Sequence, residues 1–508
     1  MRRCLTITMA LATMLFGSCT TRSTSEQESR PNIVYILADD MGYGDVSCYY
    51  ADGKTTTPNI DRLASQGMRF TDAHSPSSVC TPTRYALLTG DYAWRSRLAT
   101  GVLRGYGRSL IDPNTPTVAS FLQGQGYHTG VVGKWHLGLD WHVMAGHEEA
   151  LNPGSYGVRD NGMVTDMQPE HIDFSVPPTG GPLSRGFNYS YILPASLDMD
   201  PYCYLENDTL TELPSAETPG NDLTTGYTGA FWRPGKMAPS FKFDQVLLNF
   251  RDKAIEYLTA RSRESQPFFL YVPLAGPHTP WVPTQEYKGK SGAGAYGDFV
   301  VMVDDVVGQI VASLDRLNLS ENTIVIFASD NGPFWRPNMI ERYDHRAAGP
   351  WRGMKADAYE GGHRVPFIVR WPGKITPGTV SEAPTTLTNL AATCAEILGA
   401  EFPAGHARDS YSILPILRGQ SEGPANQDAI VHHSSMGHFA VRKGEWKLID
   451  RPGSGGFSEP ATYTPGPGEP EGQLYNLADD PGETKNLYDS LPSKVEELKE
   501  TLRQLQAL

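Results

Sequence analysis

Asn32 to Ala38 reads NIVYILA, an apolar, β-branched run without polar alternation, and it stops on Asp39 and Asp40. A strand with one wet face alternates in character; a strand without alternation is buried on both faces, as in parallel sheets covered by helices on either side. Thr323 to Ala328 (TIVIFA) repeats the pattern and ends on Ser329, Asp330, Asn331 and Gly332, while Phe268 to Val272 (FFLYV) leads into Gly276, Pro277, His278, Thr279 and Pro280. Val131 and Val132 lead likewise into Gly133 and Lys134. Between these runs lie helical periods. Phe243 to Ala260 spaces Val246, Leu247, Phe250, Ala254, Ile255 and Leu258 for one packing face. Asp298 to Leu317 does the same with Phe299, Met302, Val303, Val306, Ile310, Leu314 and Leu317, which puts Asp304 and Asp305 on its wet side. Thr385 to Leu398 reads as a last core helix. Strands alternating with helices predict an α/β fold on a large, mainly parallel mixed sheet flanked by helices.

In such sheets ligands collect beyond the carboxyl ends of the strands. Two strand ends carry hard oxygen donors, Asp39 with Asp40 and Asp330 with Asn331, a set suited to Ca²⁺, which takes about six to eight oxygen ligands. A solvated acidic turn is the plainer alternative. No His or Cys adjoins these acids in sequence and no CxxC pair occurs, so zinc is disfavoured. Lys134 and His136 are two apart, which on extended backbone puts both side chains on one face. The prolines around His278 predict a rigid turn that fixes its direction.

Ser78 to Arg84 (SVCTPTR) is followed by Tyr85 to Gly90 (YALLTG), and Pro82 fits the first turn of a helix. Such a helix start would aim orphan N–H groups and positive dipole at Cys80, with Arg84 one turn along, and so favour an anion beside the sulfur. A buried, inert cysteine fits the same residues.

At 508 residues the chain has room for a large core and an accessory unit. Residues 31–420 are expected to form the main α/β domain. Residues 421–508, with the short runs HFAVRKG, EWKLID and QLYNL and a terminal stripe of Val495, Leu498, Leu502 and Leu505, are expected to form a smaller antiparallel sheet with a helix. Arg2 and Arg3, an apolar run from Leu5 to Phe16 and then Gly17-Ser18-Cys19 have the form of an export signal and are similar to a bacterial lipobox. Residues 1–18 are therefore expected to be a lipoprotein-type signal peptide, Cys19 to carry lipid, and residues 19–30 to be a flexible tether. That places the protein in the bacterial periplasm or at the cell surface, as an outer-membrane lipoprotein held only by its lipid anchor. A formal charge of −14 argues against a nucleic-acid partner and requires any anion pocket to be built from locally placed cations. Of six cysteines, Cys48, Cys203 and Cys394 remain once Cys4, Cys19 and Cys80 are set aside, which allows one disulfide pair but no disulfide framework.

Cys80-Thr81-Pro82-Thr83-Arg84 resembles the CxPxR signature of type I sulfatases, with Thr83 where Ser is commoner. Asp39 to Asp45 (DDMGYGD) resembles their DDxGxGD opening, Thr57 to Ala64 (TPNIDRLA) their TPNID helix, and Gly133 to Gly138 (GKWHLG) their Lys/His segment. Pro277 to Pro280 (PHTP), Ser329 to Gly332 (SDNG), Gly349 to Lys355 (GPWRGMK) and Glu360 to Pro366 (EGGHRVP) are similar to further motifs in the family's order. From about Pro31 to Asn486 the chain thus resembles the formylglycine-dependent, arylsulfatase-like enzymes of the alkaline phosphatase superfold. The resemblance implies that Cys80 is oxidised to formylglycine and that Asp39, Asp40, Asp330 and Asn331, together with the modified Cys80, hold calcium. It assigns Arg84, Lys134, His136, His278 and Lys355 to the sulfate pocket, and the segment PASLD suggests Ser196 as a pocket serine. Asp198, His171, His345 and Arg346 are expected to contact sugar.

The implied reaction is hydrolysis of a sulfate monoester. A hydrated aldehyde attacks sulfur, Arg84, Lys134 and Lys355 hold the sulfuryl charge, His278 with Lys355 protonates the leaving oxygen, and His136 takes the second hydroxyl's proton. The expected substrate is a sulfated glycan of galactose or N-acetylgalactosamine type, and the expected partner in maturation is a formylglycine-generating or anaerobic sulfatase-maturating enzyme. The alternatives are a phosphate or phosphonate monoester hydrolase of the same superfold and a non-catalytic sulfated-glycan-binding lipoprotein; loss of Cys80, Arg84 or His278 would have signalled the latter.

Overall fold

The computed structural model describes residues 30–151, 158–160, 163–225, 227–421, 423–424 and 427–508. The expected signal peptide, Cys19 and the tether up to residue 29 lie outside the described residues. Asn32–Asp39 is buried at every position and runs through the interior of a ten-stranded sheet, parallel to Phe268–Pro277 on one side and Thr323–Ser329 on the other. His128–Lys134 and Tyr189–Leu193 continue the parallel block. Beyond Thr323–Ser329 the strands Phe367–Arg370 and Met68–Phe70 pair antiparallel, and Thr379–Ser381 joins Met68–Phe70 in parallel. The sheet is the mainly parallel, mixed one that the missing alternation calls for.

Register positions the site. Ala38 pairs with Ser329, and after an irregularity behind Leu37, Asp39 pairs with Pro277, so three strand ends deliver Asp39–Asp40, His278 and Asp330–Asn331 to one place. Gly133, at φ +146°, lies in the same layer; a Cβ there would fall 1.9 Å from the Pro273 carbonyl oxygen, so only glycine lets the two strands approach.

Helices Val246–Arg261 and Gly294–Arg316 pack on each other and on Phe268–Pro277. Asp304 lies inside, not on the wet side. Its carboxylate accepts from the backbone N–H groups of Asn59 and Ile60 at 3.1 and 2.8 Å and so caps helix Pro58–Ser65 from a neighbouring helix. The expected helix from Thr385 to Leu398 is shorter: Thr385–Thr386 pairs as strand, Leu387–Asn389 is a 3₁₀ turn and the α-helix is Leu390–Ile397.

Ile430–His433, Phe439–Lys443, Trp446–Ile449 and Gln473–Asn476 form a four-stranded antiparallel sheet, covered by helix Pro492–Ala507 through Val495, Leu498 and Leu502. A buried polar cluster ties it to the large sheet. Lys447 donates to Glu360 at 3.0 Å and pairs with Glu483 at 2.8 Å, and Arg442 and Arg364 both meet Asp72 at 2.7 Å. Asp72, His74, His363 and Lys447 form one chain of hydrogen bonds at 2.7, 3.0 and 3.0 Å, and the His432 ring stacks on His363 at 3.5 Å with neither nitrogen partnered. Cys48, Cys80, Cys203 and Cys394 are all free, so the allowed disulfide does not form among the described residues. No described helix is long and apolar enough to cross a membrane.

Candidate active site

Cys80 is the first residue of helix Cys80–Thr89, every residue of which is buried, and Gly90 ends it at φ +71°. The sulfur therefore sits at the helix N-terminus, facing the converged strand ends. Cys80 Sγ lies 3.5 Å from Asp39 Oδ1 and 3.6 Å from Lys355 Nζ. Lys134 Nζ, at the end of its strand, donates to both Asp39 oxygens at 2.9 and 2.7 Å, and Lys355 Nζ donates to Asp40 at 2.8 Å. Arg84 directs Nε and Nη2 at Asp330 Oδ2 at 3.0 and 2.7 Å and gives Nη1 to the Lys134 carbonyl at 2.9 Å. Asp40 adopts φ +65°, a conformation costly for a non-glycine residue and held here by its N–H donating to Asp330 Oδ1 at 3.2 Å and by Asn331 Nδ2 donating to its carboxylate at 2.7 Å.

Three carboxylates and three cations thus neutralise one another largely out of contact with water, with Asp40 and Lys355 at the edge of a cavity. Burial would raise the Asp39 carboxyl, but Lys134, with His278, Arg84 and Lys355, outweighs it and holds Asp39 well below the carboxylate range. Burial would lower Lys355, but Asp40 overrides it and the ammonium is kept. Burial pushes the Cys80 thiol up, so the unmodified sulfur is protonated and a weak nucleophile.

His136 reaches the site by an unexpected route. The strand ends at Lys134 and His136 turns to φ +56°, so the two do not share the face of an extended segment. Its Nε2–H donates to the Leu103 carbonyl at 2.7 Å, which leaves Nδ1 as a buried acceptor without a partner. Burial, with Lys134 and Arg84, keeps the ring well below its ordinary pKa and hence neutral. His278 gives Nδ1–H to the Thr279 carbonyl at 2.6 Å and turns Nε2 to within 3.6 Å of Asp40. Ser196 Oγ stands between Lys134 at 3.3 Å and His278 at 3.3 Å.

The donor set fits a hard cation. Asn331 Oδ1 is buried with no hydrogen-bond partner, a costly state that a cation beside Asp39 and Asp40 would relieve. The sequence argument against zinc needs correction in one respect: Cys80 and His278 do lie within 4.8 Å of the two acids. Three hard oxygen donors, from Asp39, Asp40 and Asn331, still outnumber one thiol and one imidazole, which favours a hard ion over zinc.

A cavity of about 450 Å³ opens onto Cys80, Asp40, His136, His278 and Lys355. Asp198 lines it; His171 and Arg346 do not. His171 stacks on His147 with ring centroids 3.7 Å apart, and Arg346 is exposed. His345 is fully buried and hydrogen-bonded on both nitrogens, to Asp45 at 2.8 Å and from the Lys54 N–H at 3.1 Å, so it braces the Asp40–Asp45 loop instead of touching sugar. Sequence reasoning missed Tyr227, Arg233, Trp281, Phe334, Ser435, Met436 and Phe457 in the cavity wall. None stands in a motif; only the length of the irregular stretch from 140 to 240 hinted at a wall there.

The family described as Sulfatase matches residues 31–400, and the one described as N-sulphoglucosamine sulphohydrolase, C-terminal, matches residues 354–508. An N-acetylgalactosamine-6-O-sulfatase of Bacteroides thetaiotaomicron is 34% identical over 95% of this chain and 94% of its own length, and human arylsulfatase A is 33% identical over 94% and 87%. A solved sulfatase structure from work on glycosaminoglycan metabolism by Bacteroides thetaiotaomicron superposes with a TM-score of 0.78 at 33% identity, covering 94% of this chain and 100% of that one. A cysteine at a helix start, strand-end acids and caged cations in one cavity, together with these full-length likenesses, establish that the chain belongs to the sulfatase family, as a type I sulfatase.

Proposed function

We propose that the enzyme removes sulfate from glycans of galactose or N-acetylgalactosamine type, with 6-O-sulfated N-acetylgalactosamine the first substrate to test, using formylglycine made from Cys80 and a bound calcium ion. The observation that carries the reading is Cys80 Sγ within 3.5 Å of Asp39 and 3.6 Å of Lys355 at the floor of a sugar-sized cavity. The name of the Bacteroides relative supports the sugar. Asp39, Asp40, Asp330 and Asn331 would hold the ion, which would supply positive charge beside a hydrated aldehyde whose hydroxyl attacks sulfur.

The remaining roles belong to side chains already in place. Arg84 is fixed by Asp330 and the Lys134 carbonyl, so its guanidinium faces the site without reorganisation. Lys134 and Lys355 bring further ammonium donors to the sulfuryl oxygens. His278, with Nδ1–H spent on Thr279, presents Nε2 to the leaving oxygen, on the side where Asp40 lies 3.6 Å away. His136, neutral with Nδ1 bare, takes a proton from residue 80.

Protein co-expressed with a maturating enzyme should give an aldehyde-containing Cys80 peptide by mass spectrometry and release inorganic sulfate from N-acetylgalactosamine 6-sulfate. An unmodified thiol with full turnover, or faster cleavage of phosphate monoesters, would overturn the reading. In the same reading residues 1–18 are removed and acylated Cys19 holds the enzyme to the membrane, so that Cys19→Ala releases it to the soluble fraction.

A further inference from the structure

Asp198 follows the strand Tyr189–Leu193 and stands in the cavity wall near His278. Its side chain is 3% exposed. One carboxylate oxygen, Oδ2, is held by the guanidinium of Arg233, which is itself pinned over the rings of Tyr227 and Phe231 at 5.1 and 5.2 Å. The other, Oδ1, accepts no hydrogen bond from any described residue. The nearest imidazole nitrogen, Nδ1 of His278, is 3.9 Å away, too far to bond, and its hydrogen already goes to Thr279. Although burial would raise this carboxyl, Arg233 and His278 hold it below its ordinary range, so it is an anion that can only accept.

A buried anionic oxygen without a donor is costly in a folded protein, and apolar Met163 and Met199 are its companions in the wall. The Ser196 hydroxyl helps to hold the charge but lies beyond hydrogen-bond distance of Oδ1, so a donor at full contact has to come from what fills the cavity. Resting on the sulfatase reading above, we propose that Asp198 Oδ1 accepts a hydrogen bond from the leaving-group hydroxyl or amide N–H that lies nearest the ester oxygen protonated by His278. Asp198 is then a specificity residue: the site selects sulfate esters of polyols and sugars over phenolic sulfates, which have no donor there. Arg233 positions it, and the aromatic rings fix Arg233.

The test compares wild-type and Asp198→Asn enzyme on N-acetylgalactosamine 6-sulfate, on analogues of it deoxygenated singly at each ring hydroxyl, and on 4-nitrophenyl sulfate. With wild-type enzyme, one deoxy analogue should lose about 100-fold in kcat/KM, since a site built to bond a donor penalises its absence heavily. In Asp198→Asn the sugar-to-phenyl ratio of kcat/KM should fall by about the same factor and the deoxy penalty should vanish, the signature of two groups in one contact. A penalty that persists in the variant, or equal losses on sugar and phenyl sulfates, would overturn the assignment, the latter by making Asp198 an orienter of His278. Should the variant not fold, the wild-type deoxy series decides alone: no penalty for any single deoxygenation refutes the proposal. Inactivity of wild-type enzyme on every sulfate ester would instead refute the sulfatase reading.

Discussion

Asp39, Asp40 and Asp330 are compensated by Lys134, Lys355 and Arg84 at 2.7 to 2.8 Å, so the site is electrically closed and the single carbonyl of Asn331 is left over. If the proposed calcium ion binds there, Asn331→Ala should weaken it by at least about tenfold, read by titration calorimetry, with little change in melting temperature, because the lysines already balance the acids. His278→Ala should cost about 10² to 10⁴ in kcat/KM on sugar sulfates. The loss should shrink on 4-nitrophenyl sulfate, whose phenolate leaves without a proton; an equal loss on both would remove His278 from the acid's role. The cluster was legible because each of its members lies inside a contiguous motif, at a strand end for Asp39, Asp40, Lys134, Asp330 and Asn331, on the Cys80 helix for Arg84 and in the GPWRGMK turn for Lys355. Asp198 and Arg233 are 35 residues apart, and nothing in either neighbourhood announces that they pair. His345 misled because a polar residue in a turn-rich stretch reads as exposed, whereas Asp45 draws it inside.

Among elements, helix Cys80–Thr89 has no wet face at all, which ties the placement of its first residue to its packing. Leu88→Ala should cost about 2 to 5 kcal/mol in urea unfolding and lower sulfatase activity by shifting Cys80. Asp304→Ala should cost about 1 to 2 kcal/mol by uncapping helix Pro58–Ser65 and leave catalysis alone, since that helix is remote from the cavity lining. The central strands were readable because full burial abolishes alternation. The side of the helix carrying Asp304 was not, because periodicity gives an angle around the axis but not the neighbour that waits there. Thr385 and Thr386 were read as helix because their apolar neighbours continue a helical period; pairing with Ala73 and His74 overrides it.

For the whole molecule, the buried His74, His363 and His432 cluster makes the union of the two sheets acid-sensitive. Burial keeps all three rings below their ordinary pKa, surrounded by Asp72, Glu360 and Glu483 and by Lys447, Arg364 and Arg442, so the native state refuses protons that the unfolded chain accepts below about pH 6.5. Stability is thus full above that pH and declines on acidification, by up to about 1.4 kcal/mol per pH unit for each histidine. Asp72 and Glu360, depressed by their cations, add a further loss below about pH 4. His432→Phe should flatten the fall in melting temperature between pH 7 and pH 5; superimposable curves would show that His432 does not titrate. Neither the cluster nor its place was visible in the sequence, whose histidines are scattered across the chain.

Ser435, Met436 and Phe457, all supplied by the small sheet's connections, complete the wall of the cavity whose floor is Cys80. Part of the wall that meets the substrate is therefore encoded apart from the motifs that carry the chemistry. Grafting residues 434–457 from a relative should change which sulfated glycan is preferred while the residues around Cys80 stay in place.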